Sequence, residues 1–343
     1  MWRRTLSGLM FTLLLIGVLT LTVDIKQAKS EWTGTVYIRA DGSIDPPDAP
    51  ITTYDNVTYT LTDNITSSGD GIIVERDNIV VDGAGYTIQG TYDYPYKGVD
   101  LTGRSNVTIK NMEINTFYYC ILLNSSSSNS IVGNNITNNF DGIFLGDSSN
   151  NTISGNNITN NYYGISLGRS SNNTISGNNI TNNDDGIYLR YSSNNTIVGN
   201  IFVDDGLIVY GSYGNVVVDN VVSGKPLVYL EEVSGLVVGD AGQVILVRCS
   251  NITVENLNLS NTDVGIQLWQ TNNTKIANNN ITENNDYGIE LDSSSNNTIS
   301  GNNITNNDDG IFLGDSSNNT ISGNNITNND DGIFLGDSSN NTI

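Results

Sequence analysis

Isoleucine returns every twenty-two residues along much of this chain. Ile131, Ile153, Ile175 and Ile197 keep that spacing, and so do Ile299, Ile321 and Ile343. Each belongs to a phrase, NNTISGNNITNNDDGIFLGDSS, that recurs with little change. A period so short and strict marks a solenoid, whose units must stack to bury a core. Within one unit the apolar positions are Ile153, Ile158, Ile165 and Leu167. Ile165 and Leu167 alternate with polar neighbours, as in a strand with one buried face. Ile153 and Ile158 stand in segments too short for a helix. Gly155-Asn156 and Asn160-Asn161 separate them, and Gly and Asn tolerate the positive φ of tight corners.

Three short strands and three corners therefore make one turn. The fold class is all-β: a right-handed, single-stranded parallel β-helix of about 22 residues per turn. A leucine-rich repeat of similar length would need an LxxLxLxxN strand and a more helical return. Here Ile dominates and helix formers are scarce. Stacking puts Ile on Ile in the core and lets Asn side chains bond from turn to turn.

Arg3 and Arg4 precede an apolar run from Leu9 to Val23, and Ala28-Lys29-Ser30 offers small residues at a cleavage site. Residues 1–30 thus read as a signal peptide or an N-terminal anchor, and the chain as secreted to the cell surface or periplasm. Residues 31–60, with Pro46-Pro47 and Pro50, read as an N-terminal cap. Residues 61–343 read as one continuous β-helix. Its 201–263 interval is valine-rich and interrupted by Gly224-Lys225-Pro226-Leu227-Val228-Tyr229-Leu230, suggesting larger turns or a lateral loop. The repeat stops in mid-unit at Ile343, as a truncated array would.

The formal net charge of -22 argues against nucleic acid, which needs clustered Lys and Arg. It also leaves membrane contact only to an uncleaved N-terminal segment. Histidine is absent, so no His-based triad or His metal cluster exists. Methionine occurs only at Met1, Met10 and Met112, which excludes a soft Met/His copper site. Cys120 and Cys249 read as two small core residues.

Several irregular stretches resemble the NosD-like β-helix proteins: Thr60-Leu61-Thr62-Asp63-Asn64-Ile65, the run from Gly71 to Gly83, the GKPLVYL segment, Gly242 to Leu246, and Ser250 to Leu257. That family lies in the broad pectin-lyase-fold group, whose units are called carbohydrate-binding/sugar-hydrolysis repeats. The resemblance implies an exported solenoid. NosD itself is linked to periplasmic maturation of a copper enzyme, but copper binding is not carried over, because the soft ligands are missing here.

Two rows of side chains are candidate ligand-binding positions. The outward place between inward Ile and Leu holds Phe144, Tyr188, Phe312 and Phe334, with Ser166 and Glu290 in other turns. Exposed rings beside acidic corners suit stacking on sugars or docking a partner. The corners carry Asp185, Asp309 and Asp331, each after another Asp. Asn261-Thr262-Asp263 followed by Asp308-Asp309 resembles part of a polygalacturonase pattern, but the Gly-His-Gly and Arg-Ile-Lys of that family are absent. Asp before Gly is ordinary corner chemistry, so no catalytic residue is assigned. The Asp ladder is a candidate Ca²⁺ site by its oxygen ligands, without matching any calcium-motif spacing; no other cofactor and no metal ligands are expected. Sequons recur, among them Asn157, Asn179, Asn303 and Asn325, as candidate N-glycosylation sites.

The reading that results is a non-catalytic surface or envelope solenoid presenting a repeat face to carbohydrate or cell-envelope protein. Two alternatives stay open: a carbohydrate-active lyase or hydrolase, and a NosD-type maturation factor.

Overall fold

Each repeat forms three short parallel strands in the computed structural model, which describes residues 32–343. One turn runs through Thr152–Ser154, Asn157–Thr159 and Tyr163–Gly168. Gly155 and Asn160 bend the chain after the first two strands, at φ of 63° and 55°. Arg169 and Asn172 build the third corner at 50° and 58°. Strands stack in register, Ile153 on Ile175 on Ile197, and all three side chains are fully buried in one axial column. The signal or anchor read at residues 1–30 lies outside the described residues.

Buried asparagines line the inside of the corners. Asn156 Nδ2 donates to the Ile131 carbonyl at 3.0 Å and to Asn178 Oδ1 at 3.0 Å. Its own Oδ1 accepts from the Asn134 backbone N–H and from Asn134 Nδ2. The same pattern links Asn139, Asn161 and Asn183 at the next corner, and Asn129, Asn151 and Asn173 at the third. Buried polar groups are tolerable only when bonded, and here each rung satisfies the next.

Glycine stands second in the long strand of the regular units for a steric reason. A Cβ at Gly164 would stand 2.5 Å from the Gly186 carbonyl oxygen of the next rung. Gly164→Ala is therefore expected to cost about 2–3 kcal/mol, as overpacking does; chemical denaturation of the purified protein measures it.

At the N-terminal end, Val36–Ile38 pairs with Ile72–Val74 and, antiparallel, with Ile44–Asp45. Ile51–Thr53 folds back on Thr58–Leu61. These antiparallel pairs end two of the sheets.

The interval 201–263 holds a reversal. Val221–Val222 turns at Ser223-Gly224 and pairs antiparallel with Lys225–Glu231, Val222 facing Lys225. From there the turns stack again in parallel, but around a second core. One core gathers residues from Val36 to Val222, and another those from Val238 to Ile321. Residues 32–343 still form one compact unit, because one strand serves both cores. Gln243, Ile245 and Val247 of that strand close the open end of the first stack, and Val244 and Leu246 point into the second. All five residues are buried. The amide of Gln243 substitutes for a strand partner, pairing with both the N–H and the C=O of Leu207 at 3.0 and 2.9 Å. Gln267 Oε1 takes the Val209 N–H at 3.1 Å. The long-strand sheet of the second stack thus lies against the terminal strand, Leu207–Tyr210, of the first.

Candidate functional site

Where the two stacks meet, the chain leaves a cleft of about 1070 Å³. One wall comes from the first stack, with Tyr163, Asp185 and Tyr188. The other comes from the second, with Asp286, Tyr287, Glu290 and Phe312. Long strands supply both walls, since their outward positions are the ones not claimed by Ile and Leu. Tyr287 lies against Phe312, ring centroids 5.0 Å apart, and Tyr163 against Tyr188 at 5.7 Å. A further stack, Tyr118, Phe140 and Tyr162, climbs the neighbouring corner with centroids 4.5 and 4.8 Å apart and ends at the cleft.

The polar lining is acidic, and none of it is Lys or Arg. Asp185 and Asp286 share a hydrogen bond across the junction. Asp185 carries the proton: burial first, then the Asp263 and Asp286 carboxylates, push it far above the carboxylate range. Burial also raises Asp286, against the hydrogen bond it accepts from Asp185. Behind them Asp263 is fully buried and accepts the Gly186 N–H at 2.9 Å. Burial, then Asp205, raises its carboxyl well above the ordinary range. Asp205 occupies the end of an asparagine ladder, taking the Asn183 Nδ2–H at 3.0 Å, and burial raises it too. Glu290 is pushed up to about 7, chiefly by burial, although Gln267 Nε2 donates to it at 2.8 Å. Asn285 Nδ2 bonds the Asn183 and Asp184 carbonyls, tying the wall of one stack to the other.

The candidate residues divide. Asp185, Tyr188 and Phe312 come together in the cleft. Phe144 lines an adjoining notch that shares Tyr163 and Tyr188 with it. Phe334 stacks on Phe312 at 5.5 Å. Asp309 and Asp331 pair rung to rung near the end of the second stack. Asn157 and Asn179 are exposed members of an outward amide ladder, each donating to the rung before at 2.8 Å. Asn303 and Asn325 do the same at 2.7 Å. Asp263 and Asp308 both reach the junction, Asp263 behind it and Asp308 on its lining.

Sequence reasoning missed Tyr163, Asp286, Tyr287 and Asp205 altogether, and set Glu290 aside. Their common signal was departure from the repeat: Tyr162-Tyr163 and Asp286-Tyr287 stand where other units carry Asp-Asp, and Asp205 where they carry Asn.

The copper expectation of the resembling family does not fit the donors present. Met112 and Cys120 are closed inside the first core and Cys249 inside the second. Burial lifts the Cys120 thiol well above its ordinary range, whereas copper sites need accessible thiolate, thioether or imidazole. Among the described residues, no group of three or more His, Cys, Asp or Glu is arranged to hold a metal ion.

A family profile described as "Periplasmic copper-binding protein (NosD)" matches residues 35–210 and 203–343. No curated protein matches the chain. Among solved structures, an α-1,3-glucanase catalytic unit from Streptomyces thermodiastaticus is 11% identical, with 90% of this chain and 69% of that one covered and a TM-score of 0.41. The Azotobacter vinelandii mannuronan C-5 epimerase AlgE4 A-module is 15% identical, with coverage of 91% and 88% and a TM-score of 0.34. The receptor-binding tailspike of bacteriophage Det7 is 13% identical, with coverage of 90% and 71% and a TM-score of 0.44.

Proposed function

From the premise that the chain belongs to the NosD family, which matches it along nearly all its described length, we propose that it is an exported β-helix protein of the periplasm or cell surface whose junction cleft holds a neutral glycan without cleaving it. The observation that carries this reading is the lining. Aromatic faces at Tyr163, Tyr188, Tyr287 and Phe312 stand beside carboxyl groups, with no Lys or Arg among them. Sugar rings stack their C–H faces on aromatics while their hydroxyls donate to carboxyl oxygens. Inside the cleft an anionic polysaccharide would meet only negative or neutral groups, on a chain of net charge -22. The family description is periplasmic, which agrees with the export signal read in the sequence. Among the described residues, the only soft donors for its copper, Met112, Cys120 and Cys249, are buried.

The non-catalytic part rests on the carboxyl pair. Glycosidases hold their two carboxyls about 5–9.5 Å apart, flanking the scissile bond. Asp185 and Asp286 are instead hydrogen-bonded to each other, an arrangement unlike a pair spaced to flank a glycosidic bond. Affinity electrophoresis through neutral and acidic polysaccharides tests the reading. Retardation by a neutral polymer is expected, at least tenfold weaker in Tyr287→Ser and Phe312→Ser and unchanged by EDTA. Retardation by acidic polymers alone would overturn it, and new reducing ends or unsaturated products would overturn its non-catalytic part.

A further inference from the structure

The outward row on the long-strand sheet of the first stack runs Phe144, Ser166, Tyr188, one residue per rung. Rungs lie about 4.8 Å apart, so Phe144 and Tyr188 are rooted roughly 9–10 Å from each other, with a serine between them in that row and Tyr163, on the serine's rung, leaning on Tyr188 from one side. The next outward position is also empty: a Cβ at Gly168 would meet only the Leu145 carbonyl, at 4.0 Å. Together these small residues leave a notch of about 350 Å³, at the lower end of small-molecule sites. A gap of this width takes one ring sandwiched between two others.

The notch contains a built polar group. Asp141 lies at its edge, is 4% exposed, and its Oδ1 has no hydrogen-bond partner. A buried carboxyl oxygen left unpaired is unfavourable, and a ligand donor reaching the carboxyl would relieve it. Burial pushes Asp141 up to about 7. Of the two arginines at the mouth, Arg169 is already held by Asp147 through paired bonds of 2.8 and 2.9 Å. Arg190 lies over the Tyr191 ring, 5.6 Å from its centroid. The pocket therefore offers aromatic faces and one desolvated acceptor, with the Arg190 guanidinium at its mouth resting on the Tyr191 ring.

We propose that this notch is a subsite for a single neutral pyranose, gripped between Phe144 and Tyr188 and hydrogen-bonded at its edge by Asp141. A flat aromatic side chain would satisfy the two faces but bring no ring of hydroxyls to Asp141, whereas a pyranose brings both. The subsite rests on the glycan reading above and extends it, since Tyr163 and Tyr188 line both the notch and the cleft. A glycan chain can then run from one to the other.

The repeat itself supplies the test. Ser166→Phe restores the residue that other turns carry at this place, as Phe144, Phe312 and Phe334 do, and fills the notch without disturbing the core. Calorimetric titration of the whole protein with cellotetraose, mannotetraose and galactotetraose is expected to find binding by at least one. Ser166→Phe should weaken that binding at least tenfold with an unchanged or higher thermal midpoint, and Asp141→Asn should weaken it several-fold. Full affinity in both variants, with loss in Phe312→Ser, would remove the subsite and leave the cleft. Binding of none of the three by the unmodified protein would overturn both. Should Ser166→Phe lower the midpoint, Asp141→Asn decides, full affinity there removing the subsite.

Discussion

Raising the pH from 4.5 to 9 is expected to lower the thermal midpoint on the order of 10 °C. The cause is the set of buried carboxyls at the junction and the notch. Asp185, Asp205, Asp263 and Asp286 are all raised, by burial first, and Glu290 and Asp141 titrate at about 7. In the unfolded chain each ionises near 4. A raised folded value means the native state binds more protons than the unfolded one across the interval between. Stability is then fully present below about pH 4 and is lost as the pH climbs through the raised values. Self-repulsion of an acidic chain works in the same direction, so the variants carry the decision. Asp263→Asn keeps an acceptor for the Gly186 N–H while removing the buried charge, and should flatten the curve above pH 6. Scanning calorimetry across the range checks this; parallel curves for the variant and the unmodified protein would refute the assignment.

Exchanging one inner ladder amide for a carboxyl should be far more damaging. In Asn156→Asp the side chain loses its bonds to the Ile131 carbonyl and Asn178 Oδ1, and confronts both oxygens with another. With no cation near, the expected cost is about 3–5 kcal/mol. The neighbouring Asn157→Asp gives up one exposed bond, to Asn135 Oδ1, and should stay within about 0.5 kcal/mol. Urea titration of the two variants makes the comparison, and equal effects would mean that the inner ladder contributes nothing beyond its neighbours.

The repeat made most of the fold legible. Ile153, Ile175 and Ile197 form the column their spacing implies, and Gly155 and Asn160 take the positive φ their types allow. The reversal was harder to see, because its evidence is two-sided burial and not period. Gln243-Val244-Ile245-Leu246-Val247 lies in the valine-rich interval read only as larger turns or a lateral loop, while its continuous apolar run is that of a strand covered on both faces. The cleft follows from the reversal. Asp185 and Asp286 are far apart in sequence, in different stacks, so no local pattern could join them. What the sequence did hold was the set of exceptions. Ser166, Glu290, Asp205 and Tyr163 each break the repeat, and each stands at the cleft, its notch or its supporting carboxyls.

The shared strand Gln243–Val247 also bears on how such a chain can lengthen. Turns of a stacked array touch only their neighbours, and the binding walls stand on a few turns either side of that strand. Whole units gained or lost beyond the turns that line the cleft, which include the copies carrying Asp308, Phe312 and Asp337, would change reach without altering the recognition surface. Copy number and specificity are thereby free to vary separately, the one at the extremities and the other at the bend.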